Sequence, residues 1–284
     1  MPELPEVETI ARGVDKRIRG DRIVQVWFGR RPQTFKTSRV RQAKGLSGRT
    51  ILAVHRTGKH IVIELGTSAC APDAHQREAL TPCAQWIVHL GMTGRLLVTS
   101  PESPVATHTH ARLSLESGRE LRFVDPRRFG RLDFRDLRRE APFGAPGDEP
   151  LTIGQSEFAA LFRGRRLSIK AALLNQTLLA GVGNIYADES LFHAGIRPRR
   201  RANRVTRPEL ERLRLALREI LTHAVQLGGS SVSDYVGADG ERGFFQLEHC
   251  VYQRTGEPCR RCQTPIRRLV VAGRGTHYCP VCQS

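Results

Sequence analysis

A proline directly behind an initiator methionine, with glutamate next to it, is a combination that can do chemistry. The chain begins Met1-Pro2-Glu3-Leu4-Pro5-Glu6. With Met1 removed, which the small residue behind it favours, Pro2 presents a free secondary amine. Glu3 lies beside it, and Glu6 one helical turn further on. An amine flanked by carboxylates can attack an electrophilic carbon and move protons around it. The same residues also read as an ordinary helix start, with proline in the first turn and glutamate near the helix N-terminus. The remainder of the chain has to decide between the two.

A second constellation closes the chain. Cys259-x2-Cys262 and Cys279-x2-Cys282 are 16 residues apart. Two such knuckles can supply four thiolates to one tetrahedral Zn²⁺. Protein would fill every coordination position, so the ion would be structural rather than catalytic. A ribbon of about 25 residues buries too little apolar surface to fold alone, and the metal stands in for a core. Arg260, Arg261, Arg267, Arg268 and Arg274 make this segment basic. Cys70, Cys83 and Cys250 are left over and read as incidental.

The elements that must hold these groups fall into blocks. Leu4, Val7, Ile10, Ala11, Val14 and Ile18 have helical spacing, with Gly20 as a stop. From residue 22 to about 135 the pattern predicts short strands: Ile23–Phe28, Ile51–His55, His60–Leu65, Gln85–Leu90, Arg95–Val98, His110–Leu115, Glu120–Val124 and Arg131–Phe134. Ser117-Gly118 reads as a hairpin turn. Close-set strands of this kind suggest an antiparallel sandwich or barrel. The polar run Gly66 to Cys83 interrupts them as a surface loop. Helices are predicted over Ser156–Arg163, Ser168–Leu179, Asn184–Ala194 and about Arg207–Leu227, the last with a Thr206-x-x-Glu209 capping box and Gly228-Gly229 behind it. The predicted division is 1–139, a Pro/Gly-rich linker over 140–151, 152–248, and 249–284.

Charge narrows the partner. Lys plus Arg number 45 against 28 Asp plus Glu, a net +17 and a pI near 10.7. Such a surface favours a polyanion, most simply nucleic acid. No apolar run approaches the ~20 residues of a membrane span, and no basic-then-apolar signal pattern opens the chain. The expectation is a cytoplasmic protein whose seven cysteines are reduced or metal-bound.

Three loops carry further candidates. Asp125-Pro-Arg-Arg-Phe-Gly130 follows a strand and presents Arg127, Arg128 and Phe129. His89-Leu-Gly-Met-Thr-Gly94 is a second loop of this kind. An exposed apolar side chain beside arginine can wedge open a base stack; a buried Phe129 with surface arginines fits the residues equally well. Gly181-Val-Gly-Asn184 permits a tight turn whose free amides, at the start of a helix capped by Asn184, suit a phosphate. On motif strength alone it is a turn. The six arginines between Arg197 and Arg207 read as a solvated charge run.

Taken together, the opening Met-Pro-Glu-Leu-Pro-Glu, Gly58-Lys59, the His89 and Asp125 loops, Gly181-Val-Gly-Asn-Ile-Tyr and the four-cysteine tail resemble the formamidopyrimidine-DNA glycosylases. The endonuclease VIII branch shares the Pro-Glu start and the zinc finger, but typically has Gly at position 4 and a different wedge set. Leu4, Met92, Arg127 and Phe129 favour the formamidopyrimidine branch. The resemblance implies an α+β multidomain protein: an N-terminal antiparallel β-sandwich with a flanking helix, a helix–two-turn–helix domain and a C-terminal four-cysteine zinc finger. It implies a monomer that acts on double-stranded DNA containing oxidised bases or abasic sites. By resemblance, Pro2 is the Schiff-base nucleophile, Glu3 the proton donor and Glu6 a supporting carboxylate. Lys59 and Arg274 are proton donors in elimination and phosphate contacts. Asn184 is a phosphate clamp, and Lys170 and His89 are further DNA contacts. Met92 fills the gap of the flipped base, Arg127 reads the orphan cytosine and Phe129 wedges beside it. Ser230 to Phe245 matches a loop that covers the damaged base. The Gly66–Cys83 loop, longer than usual, departs from the family pattern.

Overall fold

The structure is a computed structural model that describes residues 1–30, 34–67, 81–230 and 243–284. Most of the Gly66–Cys83 loop with Cys70, and most of the Ser230–Phe245 segment, lie outside the described residues. The chain forms two compact units, one built on 1–2 with 6–144, the other on 3–5 with 145–230 and 244–284.

The first unit is a pair of four-stranded antiparallel sheets. Strands β1 (Ile23–Phe28), β5 (Arg95–Thr99), β6 (Thr109–Leu115) and β7 (Glu120–Val124) form one, in the order β1-β6-β7-β5. Strands β2 (Thr50–Thr57), β3 (His60–Gly66), β4 (Ala84–His89) and β8 (Arg131–Asp136) form the other, in the order β2-β3-β4-β8. Inward residues of both sheets, among them Ile63, Trp86, Leu113, Leu121, Phe123 and Leu132, share one core. Helix α1 (Leu4–Ile18) supplies Val7, Ile10, Ala11, Val14 and Ile18 to that core, the stripe that its spacing predicts. Every predicted strand is present, displaced by no more than two residues at its ends. Gly118, at φ +83°, makes the β6–β7 turn.

One element escapes the pattern. Arg39–Leu46 is a helix, α2, capped by Ser38, whose hydroxyl accepts from Arg41 N. It is short and mostly polar, burying only Gln42 and Leu46. Gln42 Oε1 accepts the Trp86 indole N–H at 3.0 Å, and its Nε2 donates to Leu132 O at 3.2 Å. A buried glutamine tying two strands to a helix leaves no apolar periodicity to read.

The second unit holds α3 (Gln155–Phe162), α4 (Ile169–Leu174), α5 (Asn184–Ala194) and α6 (Arg207–Gln226), then the hairpin β9 (Arg267–Val271) and β10 (Arg274–Tyr278). The α6 capping box forms as predicted. Helix α4 is shorter than the predicted Ser168–Leu179, because Asn175 ends it. Asn175 Oδ1 accepts from Thr177 N at 3.0 Å, so the side chain offers the backbone a turn in place of another helical bond. The helices and the Cys-rich hairpin, beside the paired sheets, give the mixed α+β class that the sequence implies. Cys83 is disulfide-bonded, against the expectation that all cysteines are reduced or metal-bound. The leftover cysteines are therefore not all incidental; spacing along the chain says nothing about which thiols meet in space.

Two imidazoles, half-buried His60 and buried His249, give the fold an acid limit. His60 faces His89 across β3–β4 with ring centroids 4.8 Å apart, and Phe143 covers His60 at 4.7 Å. Burial, and then the neighbouring His89, hold His60 down to about 4. In the second unit, burial and then Arg260 hold His249 down to about 4. Unfolding releases both to ~6.5, so the unfolded chain takes up protons that the folded chain refuses. The stabilisation is complete above about pH 6.5 and is lost as pH falls towards 4. Chemical denaturation between about pH 7.5 and 4 should show stability falling through this window, and His60→Phe should flatten the slope. An unchanged slope in His60→Phe would show that His60 does not contribute to the acid limit.

Candidate active site and metal centre

Glu3 is where the second unit begins, and its carboxylate is placed by the start of α5. Its Oε1 accepts Ile185 N at 3.1 Å and its Oε2 accepts Tyr186 N at 3.4 Å, with only 4% of the residue exposed. Amides of the first helical turn, which the helix itself cannot satisfy, and the positive end of the helix dipole hold one carboxylate. Gly183, the residue before α5, makes this possible: a Cβ there would overlap the Glu3 carboxyl group. Gly181, at φ +94°, packs on Leu4, and Leu4 N donates to Gly181 O at 3.0 Å. The glycine turn therefore receives the N-terminal segment. The reading of free amides awaiting a phosphate is corrected, since Glu3 takes them. Asn184 is also not the cap; it is the first helical residue, and its Nδ2 donates to Gly275 O at 2.9 Å.

Lys170 shows why a lysine in a basic protein need not meet the solvent. Its side chain is wholly buried, with Nζ 2.6 Å from Asp188 Oδ1, and it donates to Thr276 Oγ1 at 2.8 Å and to Gly275 O at 3.2 Å. An enclosed ammonium cannot touch DNA, so the direct contact expected of Lys170 is replaced by a structural one. Asp188 also accepts His277 N at 2.9 Å. Lys170, Asn184 and Asp188 thus grip the backbone of β10 immediately after Arg274. Arg274 itself is exposed at the tip of the hairpin. The turn before it, Ala272-Gly273, has both residues at positive φ, +48° and +71°, the two-residue form that suits strand twist. Burial lowers the Lys170 pKa while Asp188 opposes the shift.

In the first unit, Gly58-Lys59 is the two-residue turn between β2 and β3, with Gly58 at φ +58°. Lys59, Pro2 and Glu6 are all buried. His89 sits at the end of β4, and burial, then the charges of Lys59, Arg131 and Lys36, keep its pKa low. It therefore stands as a neutral ring, its Nδ1 accepting Gly91 N at 3.2 Å.

The loops His89–Gly94 and Asp125–Gly130 meet at a buried residue whose role the sequence does not single out. Asp125 is fully buried. Its Oδ1 accepts the Thr93 hydroxyl at 2.6 Å and its Oδ2 accepts Gly130 N at 2.7 Å, while its own carbonyl meets His110 Nε2 at 2.9 Å. Thr93 Oγ1 accepts Arg127 N at 3.3 Å. One carboxylate thus staples the Met92 loop to the Arg127–Phe129 loop. With the backbone satisfied below, the apolar side chains point out: Met92 is 40% exposed and Phe129 48%. That excludes the buried-phenylalanine reading. The Arg127 guanidinium lies 5.0 Å from the Phe129 ring centroid, a cation–π pair that orients both. The only local signal for Asp125 is a short acid behind a strand and before a proline turn, and its partner Thr93 is far away in sequence.

The four knuckle cysteines come together, with Sγ atoms within 4.8 Å of one another. Cys259–Cys282 and Cys262–Cys279 are 3.9 and 3.5 Å apart. A tetrahedron with Zn–S bonds of about 2.3 Å has edges of about 3.8 Å, so the donor set fits zinc. Gln283 braces the second knuckle, accepting Cys279 N at 2.8 Å and donating to Ile196 O at 2.9 Å.

Among the described residues no helix is long and apolar enough to cross a membrane. Three family models match in sequence order: the formamidopyrimidine-DNA glycosylase N-terminal domain over 1–132, the formamidopyrimidine-DNA glycosylase H2TH domain over 146–236, and the zinc finger found in FPG and IleRS over 256–284. The formamidopyrimidine-DNA glycosylase of Solibacter usitatus is 43% identical, with 100% of this chain and 99% of the relative covered. That of Thioalkalivibrio sulfidiphilus is 41% identical, with 100% of both chains covered. Among solved structures, a complex between Lactococcus lactis Fpg and DNA containing an abasic site superposes with a TM-score of 0.86 at 34% identity, covering 99% of each chain. The Fpg protein of Thermus thermophilus gives a TM-score of 0.83 at 42% identity, covering 99% of this chain and 98% of the other. Family models match the chain along all three of these segments, and relatives above 40% identity cover its whole length, so the protein belongs to the formamidopyrimidine-DNA glycosylase family.

Proposed function

We propose that this member of the family is a bifunctional DNA glycosylase and abasic-site lyase, excising oxidised purines from double-stranded DNA. Its substrates are 8-oxoguanine opposite cytosine and ring-opened formamidopyrimidines. The observation that carries the reading is the Glu3 carboxylate fixed on the α5 N-terminus, one peptide bond from Pro2. Consecutive Cα atoms are only ~3.8 Å apart, so fixing Glu3 also fixes the neighbourhood of the amine. The outward Met92, Arg127 and Phe129 side chains support a DNA duplex as partner, since a nucleotide must leave the stack before its sugar can be attacked.

With Met1 removed, the Pro2 nitrogen attacks C1′ of the damaged nucleotide and the base departs with its bonding electrons. The Pro2 nitrogen passes its N–H proton to Glu3, and Glu3 returns it to O4′ as the C1′–O4′ bond opens, leaving a cationic iminium between Pro2 and C1′. The cation acidifies C2′; loss of a C2′ proton expels the 3′ phosphate, and a second elimination expels the 5′ phosphate. Lys59 and Arg274 donate protons in these eliminations and bind the flanking phosphates with Asn184. Glu6 supports the amine, and His89 is a further backbone contact. Arg127 reads the orphan cytosine, and Met92 and Phe129 fill the gap. Lys170 holds the Arg274 hairpin in place of a DNA contact. Cys259, Cys262, Cys279 and Cys282 hold one structural zinc, which supplies folding energy to the hairpin and no chemistry. The protein acts as a cytoplasmic monomer.

Borohydride trapping on an 8-oxoguanine duplex should give a covalent adduct, and Pro2→Gly should lose most of it. Glu3→Gln should lower base excision by on the order of 10²–10⁴. Gly183→Ala, which displaces the Glu3 carboxylate, should reproduce that loss in a folded protein. Absence of any adduct would sink the lyase assignment; full excision by Glu3→Gln would refute its role.

Arg127→Ala should weaken the preference for cytosine opposite the lesion. Asp125→Asn, which removes the charge that staples the loops, should do the same and cost about 1.5–3 kcal/mol in stability. An opposite-base preference unchanged in both variants would separate these loops from recognition. Stripping the zinc should impair DNA binding; wild-type affinity in verified metal-free protein would contradict the structural role.

A further inference from the structure

Outside the four-thiolate cluster, Glu189, His193 and Cys250 bring a carboxylate oxygen, an imidazole nitrogen and a thiol sulfur within 4.8 Å of one another. Glu189 and His193 are four residues apart on α5, hence on one face of the helix. Cys250 arrives from the segment behind the short 3₁₀ turn Phe245–Glu248. Glu189 fixes that arrival. Its Oε2 accepts Cys250 N at 2.9 Å, and its Oε1 accepts Val251 N at 3.0 Å and Tyr252 N at 2.8 Å.

A carboxylate offers about four lone-pair directions. Three are taken by these amides, and the spare one belongs to Oε2, the oxygen bonded to the Cys250 amide. The residue is 1% exposed, so no bulk water surrounds that charge. Cys250 Sγ and His193 Nε2 are 3.6 Å apart. Zn–S and Zn–N bonds of about 2.3 and 2.05 Å at a tetrahedral angle place sulfur and nitrogen about 3.6 Å apart. His193 is exposed and Cys250 half-buried, which leaves an entry path and a fourth position for water. Arg254, Arg260 and Arg261 lie close by but are held elsewhere: Arg254 pairs with Glu257 at 2.7 Å and donates to the Cys250 and Pro258 carbonyls, Arg260 to those of Leu247 and Glu248, and Arg261 to that of Phe192.

We propose that Glu189, His193 and Cys250 form a second, exchangeable site for a borderline-soft divalent cation such as Zn²⁺, distinct from the four-thiolate site. One carboxylate and one thiolate neutralise the ion, and the thiol proton is released to solvent on binding. A bound ion ties α5 to the segment carrying Cys250. With three protein ligands and one open position it is weaker than the four-thiolate site and is emptied first.

The test uses full-length protein, reduced and kept free of oxygen, equilibrated with micromolar free zinc and desalted before its metal content is measured. Two equivalents of zinc per chain are expected for the wild type. One is expected for Cys250→Ser and for His193→Gln, the remaining equivalent showing that the four-thiolate hairpin is folded. Cobalt added to protein already holding one zinc should give a sulfur-to-cobalt charge-transfer band that Cys250→Ser abolishes. One equivalent in the wild type without a cobalt band would mean a thiol–imidazole hydrogen bond only, and would overturn the proposal. So would two equivalents in both variants.

Discussion

A single carboxylate seated on a helix end is the constraint from which the candidate site is built. Glu3 has no long side chain to spare, so to reach the amides of Ile185 and Tyr186 the N-terminal segment must lie against the turn before α5. That demands glycine at 181 and 183, for backbone conformation at one and for close approach at the other. It also converts an N-terminus, ordinarily frayed, into a fixed reference for the residue in front of it. The apolar stripe of α1, buried in the core of the sandwich, holds the chain that follows.

The same economy recurs where the protein needs to show apolar or cationic groups. An exposed Phe129 or Met92 gains nothing from burial, and a loop that presents one must be held by something other than its own packing. Asp125 does this with a buried carboxylate that satisfies a hydroxyl and an amide from two loops at once. At the Arg274 hairpin the holding group is the enclosed Lys170–Asp188 pair. Removing either partner of such a pair leaves an uncompensated buried charge. In both places a buried charged group holds the backbone that presents a surface side chain, and the charged residues doing so stay inside.

The candidate site is for this reason only half legible in the sequence. The strands, α1, α6 with its capping box and the four-thiolate cluster have signatures that are local: periodicity, caps and spacing. The residues alone leave the exposure of Phe129 open, because an aromatic in an arginine-rich turn fits either side of a surface. α2 escapes notice because its buried face is a glutamine and a leucine, too little for a period. The resemblance makes Lys170 a DNA contact, and nothing local to it in the sequence signals its burial. Its partner Asp188 comes from the next helix, and its other partners from a hairpin more than a hundred residues on.

The sequence by itself determined the kind of chemistry available, through an amine and carboxylates at the start and thiolate knuckles at the end, and determined most of the elements through local hydrophobic pattern. The tertiary structure alone decided which polar groups are used up inside and which are presented. It gave the α5 amides to Glu3 rather than to a phosphate, enclosed Lys170, and turned Phe129 outward over Asp125. The physical reason is that a hydrogen bond or ion pair is satisfied by whatever lies within about 3 Å, and neighbours at that range are set by packing of distant segments, which no local pattern encodes.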